Sequence, residues 1–171
     1  MGRLEIIGQG NFLQLLRDRG WEYVQRKHVS AIVAIVAEYQ GQAIVVEQYR
    51  PAVNCKVIEW PAGLVGDIPG QEDEALTTAA NRELEEETGF RAESFELLTF
   101  GPASAGESNE IIHIFRAHNL TKVSQGGGVD NENITVHLVP LSEIDQWLKQ
   151  RQQEGVLIDL KFHSGLYFLK Q

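Results

Sequence analysis

The sequence predicts a mixed α/β or α+β sandwich, on three observations. Its apolar residues come in short pieces separated by turn signals, β-branched residues dominate most of those pieces, and strand patterns stand first and last with helical patterns between them. The bulk numbers allow such a fold: 171 residues suit one domain, or one domain with a small appendage. A content of 43% hydrophobic and 23% charged residues is ordinary for a globular chain and excludes the disordered and collagen-like classes.

The elements follow in order. "AIVAIVAEY" (31–39) and "QAIVVEQY" (42–49) read as paired strands joined at Gln40-Gly41. "KVIEWPAGLV" (56–65) reads as a further strand that stops at Pro61-Ala62-Gly63. A helix is expected over 72–88. Strands are expected at 95–101, 110–118 and 133–140, then a helix over 142–155 with Ser142 as its cap, and a short final helix near 157–170. "SQGGGVDNEN" (124–133) is the one plainly flexible loop by composition.

Charge and cysteine usage narrow the function. A net charge of −9 argues against nonspecific attraction to nucleic acid or anionic lipid. If the substrate is anionic, something positive must be brought to it. No run approaches the roughly 18 apolar residues of a membrane span, and "MGRLEIIGQGNF" lacks the layout of a secretory signal, so the cytoplasm is the expected compartment. The single Cys55 reads as a small buried hydrophobe.

The stretch "RELEEETGF" (82–90) packs one arginine and four glutamates into six positions, and helical phase separates them. With Glu83 at zero, Leu76 falls at about 20°, Ala79 at about −40° and Ala80 at about 60°, which defines the inward stripe. Glu87 at about 40° and Glu86 at about −60° continue that stripe, whereas Glu85 lies about 200° away and Glu74 also falls on the solvent side. Three carboxylates on a partly buried face repel one another and lose hydration unless something compensates. A divalent cation is the simplest compensation, and all-oxygen donors favour Mg²⁺, with Mn²⁺ possible, over zinc. The bland alternative is a helix end that emerges into water. His28, His113, His118, His137 and His163 show no zinc-site spacing and read as structural.

"EDEALTTAANRELEEETGF" resembles the box of the Nudix hydrolases, G-x5-E-x7-R-E-U-x-E-E-x-G-U, with Glu74, Arg82, Glu83, Leu84, Glu86, Glu87, Gly89 and Phe90 in register. "EQYRP" (47–51), "EWPAG" (59–63), "GPASAGESNEIIHIFRA" (101–117) and "ENITVHLVPL" (132–141) are similar to stretches of the ADP-ribose and nucleotide-sugar pyrophosphatase branch. Two departures stand out. Gly63 precedes Glu74 by eleven positions instead of six, so "GDIPG" reads as a five-residue insertion, and Ala105 stands where ADP-ribose members carry a proline.

The resemblance implies an α/β/α sandwich with a central mixed sheet over 29–171, preceded by a small strand segment over 1–28 that forms a homodimer. It also implies hydrolysis of the pyrophosphate in a nucleoside diphosphate sugar. On that pattern the metal ligands are Glu83, Glu86, Glu87 and the carbonyl of Ala62. Arg82 orients Glu86, and Glu132 activates water, with Asp130 or a box glutamate as the alternative base. Arg50 and Glu59 are similar to substrate-contacting residues, while Trp21 and Phe12 either stack on a base or pack in the core. Other nucleotide substrates, or a noncatalytic sensing module, are the competing readings, but a pure binder has no chemical need of three metal-binding glutamates.

Overall fold

The structure, a computed structural model, describes residues 4–129 and 132–171. Its elements in chain order are β1 (Glu5–Gln9), β2 (Leu13–Asp18), β3 (Trp21–Arg26), β4 (Ala31–Val36), β5 (Glu38–Tyr39), β6 (Gln42–Arg50), β7 (Cys55–Glu59) and β8 (Ala62–Val65). Then come α1 (Leu76–Thr88), β9 (Phe90–Arg91), β10 (Ser94–Pro102), β11 (Ile111–His118), β12 (Thr121–Lys122), β13 (Thr135–Pro140), α2 (Ile144–Gln153), β14 (Leu157–Ile158) and α3 (Leu160–Leu169).

The expected fold class holds, with the central strands divided between two mixed sheets and β9 paired with β12 apart from them. One has the order β10-β11-β4-β8 with β4 and β11 parallel; the other runs β13-β6-β7-β14, with β5 paired to β6. The division has a local cause. "KVIEWPAGLV" does not end at Pro61: the proline has no N–H for a ladder, so β7 stops and the chain resumes as β8 in the other sheet, with Pro61 O accepting from Ile35 N at 2.8 Å. This break places Ala62 and Gly63 at the start of a strand that packs under α1.

Strand β4 shows why helices cover both faces. Ala34 and Val36 join a core with Val45, Ile58, Trp60, Leu148, Phe162 and Leu166 on the α2 and α3 side. Val33 and Ile35 join a second core with Ile44, Val65, Ala79, Ala80, Leu84, Phe90 and Phe115 under α1. A strand buried on both faces needs a continuous apolar run, and "AIVAIV" supplies it.

Two helix boundaries differ from expectation. α1 begins at Leu76, because residues 71–75 form turns in which Glu74 N donates to Gln71 O. α2 begins at Ile144 after Glu143, and no side chain caps it, so Ser142 does not have the expected role. Before α3, Leu157–Ile158 pairs in parallel with β7, and Asp159 caps the helix by accepting from Lys161 N. The N-terminal strands β1 to β3 form a separate antiparallel sheet, joined to the body where Val24 N donates to Glu107 O. Among the described residues no helix is long and apolar enough to cross a membrane.

Phe162 is fully buried and stacks on Trp60 at 4.5 Å between ring centroids, while the Trp60 indole N–H donates to Phe162 O at 3.0 Å. Phe162→Ala is therefore expected to lower unfolding free energy by about 3–5 kcal/mol in urea titration. A loss under about 1 kcal/mol would mean that this contact does not hold α3 to the sheets.

Candidate functional site

The site is built where α1 crosses the break between β7 and β8. Ala79, Ala80 and Leu84 are completely buried against β4 and β8, which fixes the rotation of the helix and turns Glu83 and Glu87 the same way. Glu83 lies against Gly63 so closely that a Cβ there would stand 1.8 Å from Glu83 Cδ. Gly63 thus makes room for this carboxylate in spite of the insertion that follows it. Glu87 is buried, and its Oε2 accepts from Ala62 N at 3.0 Å.

Arg82 binds the acids together. Its guanidinium donates to Glu83 Oε1 at 2.7 Å, to both carboxylate oxygens of Glu74 at 3.3 and 3.1 Å, and to Leu64 O at 3.1 Å. Glu86 Oε2 and Asp67 Oδ1 each lie 3.5 Å away. Burial works against the charge of Arg82, but the hydrogen bonds of Glu74 and the field of Glu83 outweigh it and hold its pKa above the ordinary value. Asp67 belongs to the inserted "GDIPG", so the insertion adds an acid to this hub.

Phase places most of the glutamates correctly. Glu85 points outward and makes a two-pronged pair with Arg91 at 2.9 and 3.0 Å. Glu86 stands at the rim, its side chain as exposed (32%) as that of Glu85 (34%), so its partner, and not its depth, distinguishes it. Glu74 is a correction: its side chain is only 3% exposed and is paired with Arg82, because it precedes the helix and helical phase does not apply to it.

Burial sets the protonation of the inner pair. It pushes the Glu83 carboxyl up to about 7, with Arg82 opposing and Glu86 and Asp67 adding to the rise. Burial also pushes Glu87 up to about 8; the Ala62 N–H and Arg50 oppose, and the charges of Glu83 and Glu132 add to it. Among the described residues, no three His, Cys, Asp or Glu side chains are gathered closely enough to grip a metal ion. The donor set nevertheless fits a hard cation: all donors are oxygens, and Glu87 has a single N–H as its direct partner and no cation in hydrogen-bond contact.

The remaining expected residues divide. Glu132 is exposed, its Oε2 accepting from Val129 N at 3.1 Å, and its charge is felt at Glu87. Asp130 lies outside the described residues. Arg50 Nε pairs with the buried Glu59 at 2.7 Å, and the Arg50 charge also reaches Glu87. Trp21 is not brought to the acidic helix within one chain: it is 62% exposed on the N-terminal sheet, and its indole N–H donates to Gly106 O. Phe12 lines a cleft of about 280 Å³ with Arg26, Lys27, His28, Leu64 and Asp67. Sequence reasoning missed the stretch Arg26-Lys27-His28; its signal is two adjacent cations followed by a histidine in an acidic chain.

The NUDIX domain model matches residues 26–160. The chain is 34% identical over 127 residues to a methanol dehydrogenase activator of Bacillus methanolicus, and 32% identical over 127 residues to an ADP-ribose pyrophosphatase of Bacillus subtilis. Each match covers 74% of this chain and 66% of the relative, so the chain spans just under two thirds of either. A crystal structure of an ADP compounds hydrolase superposes with a TM-score of 0.73 at 21% identity, covering 98% of this chain and 90% of that one, which shows the shared fold.

The raised carboxyl groups predict a pH dependence. In the unfolded chain they release protons near 4.5, but in the folded chain near 7 and 8, so the native state holds extra protons across that window. Stability of the metal-free protein is therefore present at low pH and lost as pH rises from 4.5 to 8. In chelator the melting temperature is expected to fall through this window, and saturating Mg²⁺ at the upper end is expected to raise it by a few degrees. A flat profile with no response to metal would contradict the burial of these two groups.

Proposed function

The chain belongs to the NUDIX domain family, and from that premise we propose that it hydrolyses the pyrophosphate bond of a nucleoside diphosphate sugar, ADP-ribose or a close analogue. The products are a nucleoside monophosphate and a sugar phosphate. The observation that carries this reading is the pair of inward carboxylates Glu83 and Glu87 on α1, beside Ala62, with Glu86 at the rim, held with Glu83 through Arg82, and the Glu132 loop attached to the same helix.

Glu83, Glu86, Glu87 and the Ala62 carbonyl are the proposed ligands of Mg²⁺, with Mn²⁺ as a substitute. Such an ion, when bound, neutralises pyrophosphate charge and lowers the pKa of a coordinated water. The protein's own contributions are separate. Arg82 holds Glu83 and Glu86 in orientation through contacts of 2.7 and 3.5 Å, and Glu74 in turn fixes Arg82. Glu132 takes the proton of the attacking water, and its exposed position suits a base that meets substrate from a loop. Arg50, which pairs with Glu59 at 2.7 Å, is the residue assigned here to contact the leaving group.

The cleft of Phe12, Arg26, Lys27 and His28 is assigned here to the rest of the nucleotide, since its walls Leu64 and Asp67 also touch Arg82. Trp21 serves substrate only if its sheet meets a second copy. The N-terminal sheet supports a homodimer: every residue of β1 is exposed, including Ile6 and Ile7, and Leu4, Phe12, Leu13 and Leu15 add to the uncovered apolar surface. Nucleic acid is not an expected partner of a chain with net charge −9.

A hydrolysis screen with Mg²⁺ across ADP-ribose, GDP-mannose, UDP-glucose, NADH and nucleoside triphosphates tests the reading. Nucleoside monophosphate release from a sugar nucleotide is expected. Glu86→Gln and Glu87→Gln are expected to lower kcat by about a hundredfold or more, and Glu85→Gln by less than about twofold. Orthophosphate release from triphosphates alone would move the substrate class. For the dimer, light scattering should give twice the mass of one chain, and Ile6→Lys should shift it toward one; a monomeric wild type ends that part of the proposal.

A further inference from the structure

The segment after β12 completes the carboxylate helix. A helix leaves its last four carbonyl groups without internal partners, and in α1 each finds a donor. Glu85 O accepts from Gly89 N at 2.8 Å, Glu86 O from Gly128 N at 3.0 Å, Glu87 O from Gly127 N at 2.8 Å, and Thr88 O from Lys122 Nζ at 2.9 Å. Three of these four donors come from residues 122–128. The backbones approach so closely that a Cβ on Gly126 would stand 2.3 Å from Thr88 C. The glycines of "SQGGGVDNEN" thus permit contact with the helix, and the part of the loop expected to be flexible is clasped to it.

The same clasp carries Glu132. Gly127 O accepts from Ile134 N at 3.2 Å, Glu132 N donates to Val129 O at 3.0 Å, and the Glu132 side chain lies directly on Gly128. A Cβ on Gly128 would stand 2.6 Å from Glu132 Cβ and 2.7 Å from its Oε2, at a backbone φ of +86°. A clash with the carboxylate alone could be relieved by rotating the side chain. A clash with Cβ cannot, so the stem of Glu132 itself must move.

We infer that Gly128 is a positioning residue: its N–H fixes it to Glu86 O, and its bare Cα is the seat that registers Glu132 against the carboxylate helix. This rests on the assignment of Glu132 as the base. Gly127 supplies the control. It also has a positive φ, +108°, but a Cβ there would meet only Ile134 O at 3.8 Å.

Gly128→Ala, Gly127→Ala, Glu132→Gln and the pair Gly128→Ala with Glu132→Gln are to be compared on ADP-ribose with Mg²⁺, or on whichever sugar nucleotide the wild type cleaves fastest. Circular dichroism checks the fold of each. Gly128→Ala is expected to lower kcat about tenfold or more while leaving KM within about twofold, Gly127→Ala to cost less than about threefold, and Gly128→Ala to add nothing once Glu132 is Gln. Gly128→Asn, which tolerates a left-handed backbone but still carries a Cβ, should repeat the kcat loss and guards against a misfolded Ala variant. A wild-type kcat in Gly128→Ala beside a slow Glu132→Gln overturns the positioning role and leaves the base in place. Full activity in Glu132→Gln removes both. Equal losses at 127 and 128, or a further loss in the double variant, assign the effect to loop backbone and also overturn the inference.

Discussion

Two carboxylates taken out of water on one face of α1 are the constraint around which this molecule is arranged. Glu83 and Glu87 are turned inward by the packing of Ala79, Ala80 and Leu84, which leaves the helix no other rotation that buries its apolar residues. Burying two like charges opposes folding unless each has a partner. Arg82 partners the first, and one backbone N–H at the strand break partners the second. The two solutions are unequal. An N–H satisfies a lone pair but does not balance a charge, and Glu87, the more deeply buried of the two, is pushed above its ordinary pKa first by burial, with no cation among the described residues in contact to oppose it.

The strand break and the helix end are both parts of this arrangement. Pro61 interrupts the ladder between β7 and β8, which brings the Ala62 N–H to Glu87 and leaves the side-chain-free Gly63 under Glu83. At the far end, the last carbonyl groups of α1 are satisfied by the very segment that leads to Glu132. The acid on the loop therefore does not have to find the helix from a distance. Its backbone register to Glu86 and Glu87 is set by the hydrogen bonds that finish the helix, which links a capping requirement to the geometry of the site.

Much of this was legible in the sequence, and the exceptions have physical reasons. Phase on α1 separated the outward Glu85 from the inward Glu83 and Glu87 because a helix has one period and one apolar stripe, but it set Glu86 deeper than the rim position it takes. It misplaced Glu74 because that residue lies before the first helical turn, where no phase exists. The Gln40-Gly41 turn was readable from its residues, but only Glu38–Tyr39 pairs with β6 across it, whereas Ala31–Val36, expected to pair with the same strand, joins the other sheet beside β8 and β11. The split into two sheets was not, since a proline in an apolar run signals a break without saying where the chain goes next. The glycine run was misread for a related reason: composition reports what a backbone can do, whereas close approach to Thr88 depends on a partner 38 positions before Gly126. Trp21 and the apolar β1 had no period tying them to the body, and within one chain they have no apolar cover.

The charge problem that an acidic chain would face with the proposed anionic substrate has a local answer. Arg82 is used up by Glu74, Glu83, Glu86 and Asp67, and Arg50 is bound to Glu59, so neither is free to neutralise a pyrophosphate. Arg26 in turn pairs with Glu110 at 2.6 Å, and the Lys27 ammonium donates to Gly10 O. Each nearby cation already has a partner of its own, and burial, with the charges of neighbouring acids adding to it, holds protons on the inner carboxylates near neutral pH. A small divalent ion held as proposed by Glu83, Glu86 and Glu87 would relieve both difficulties, replacing those protons and supplying positive charge for an anionic substrate. On the proposed function, the excess acid in this helix would be the means by which an acidic protein presents positive charge to its substrate.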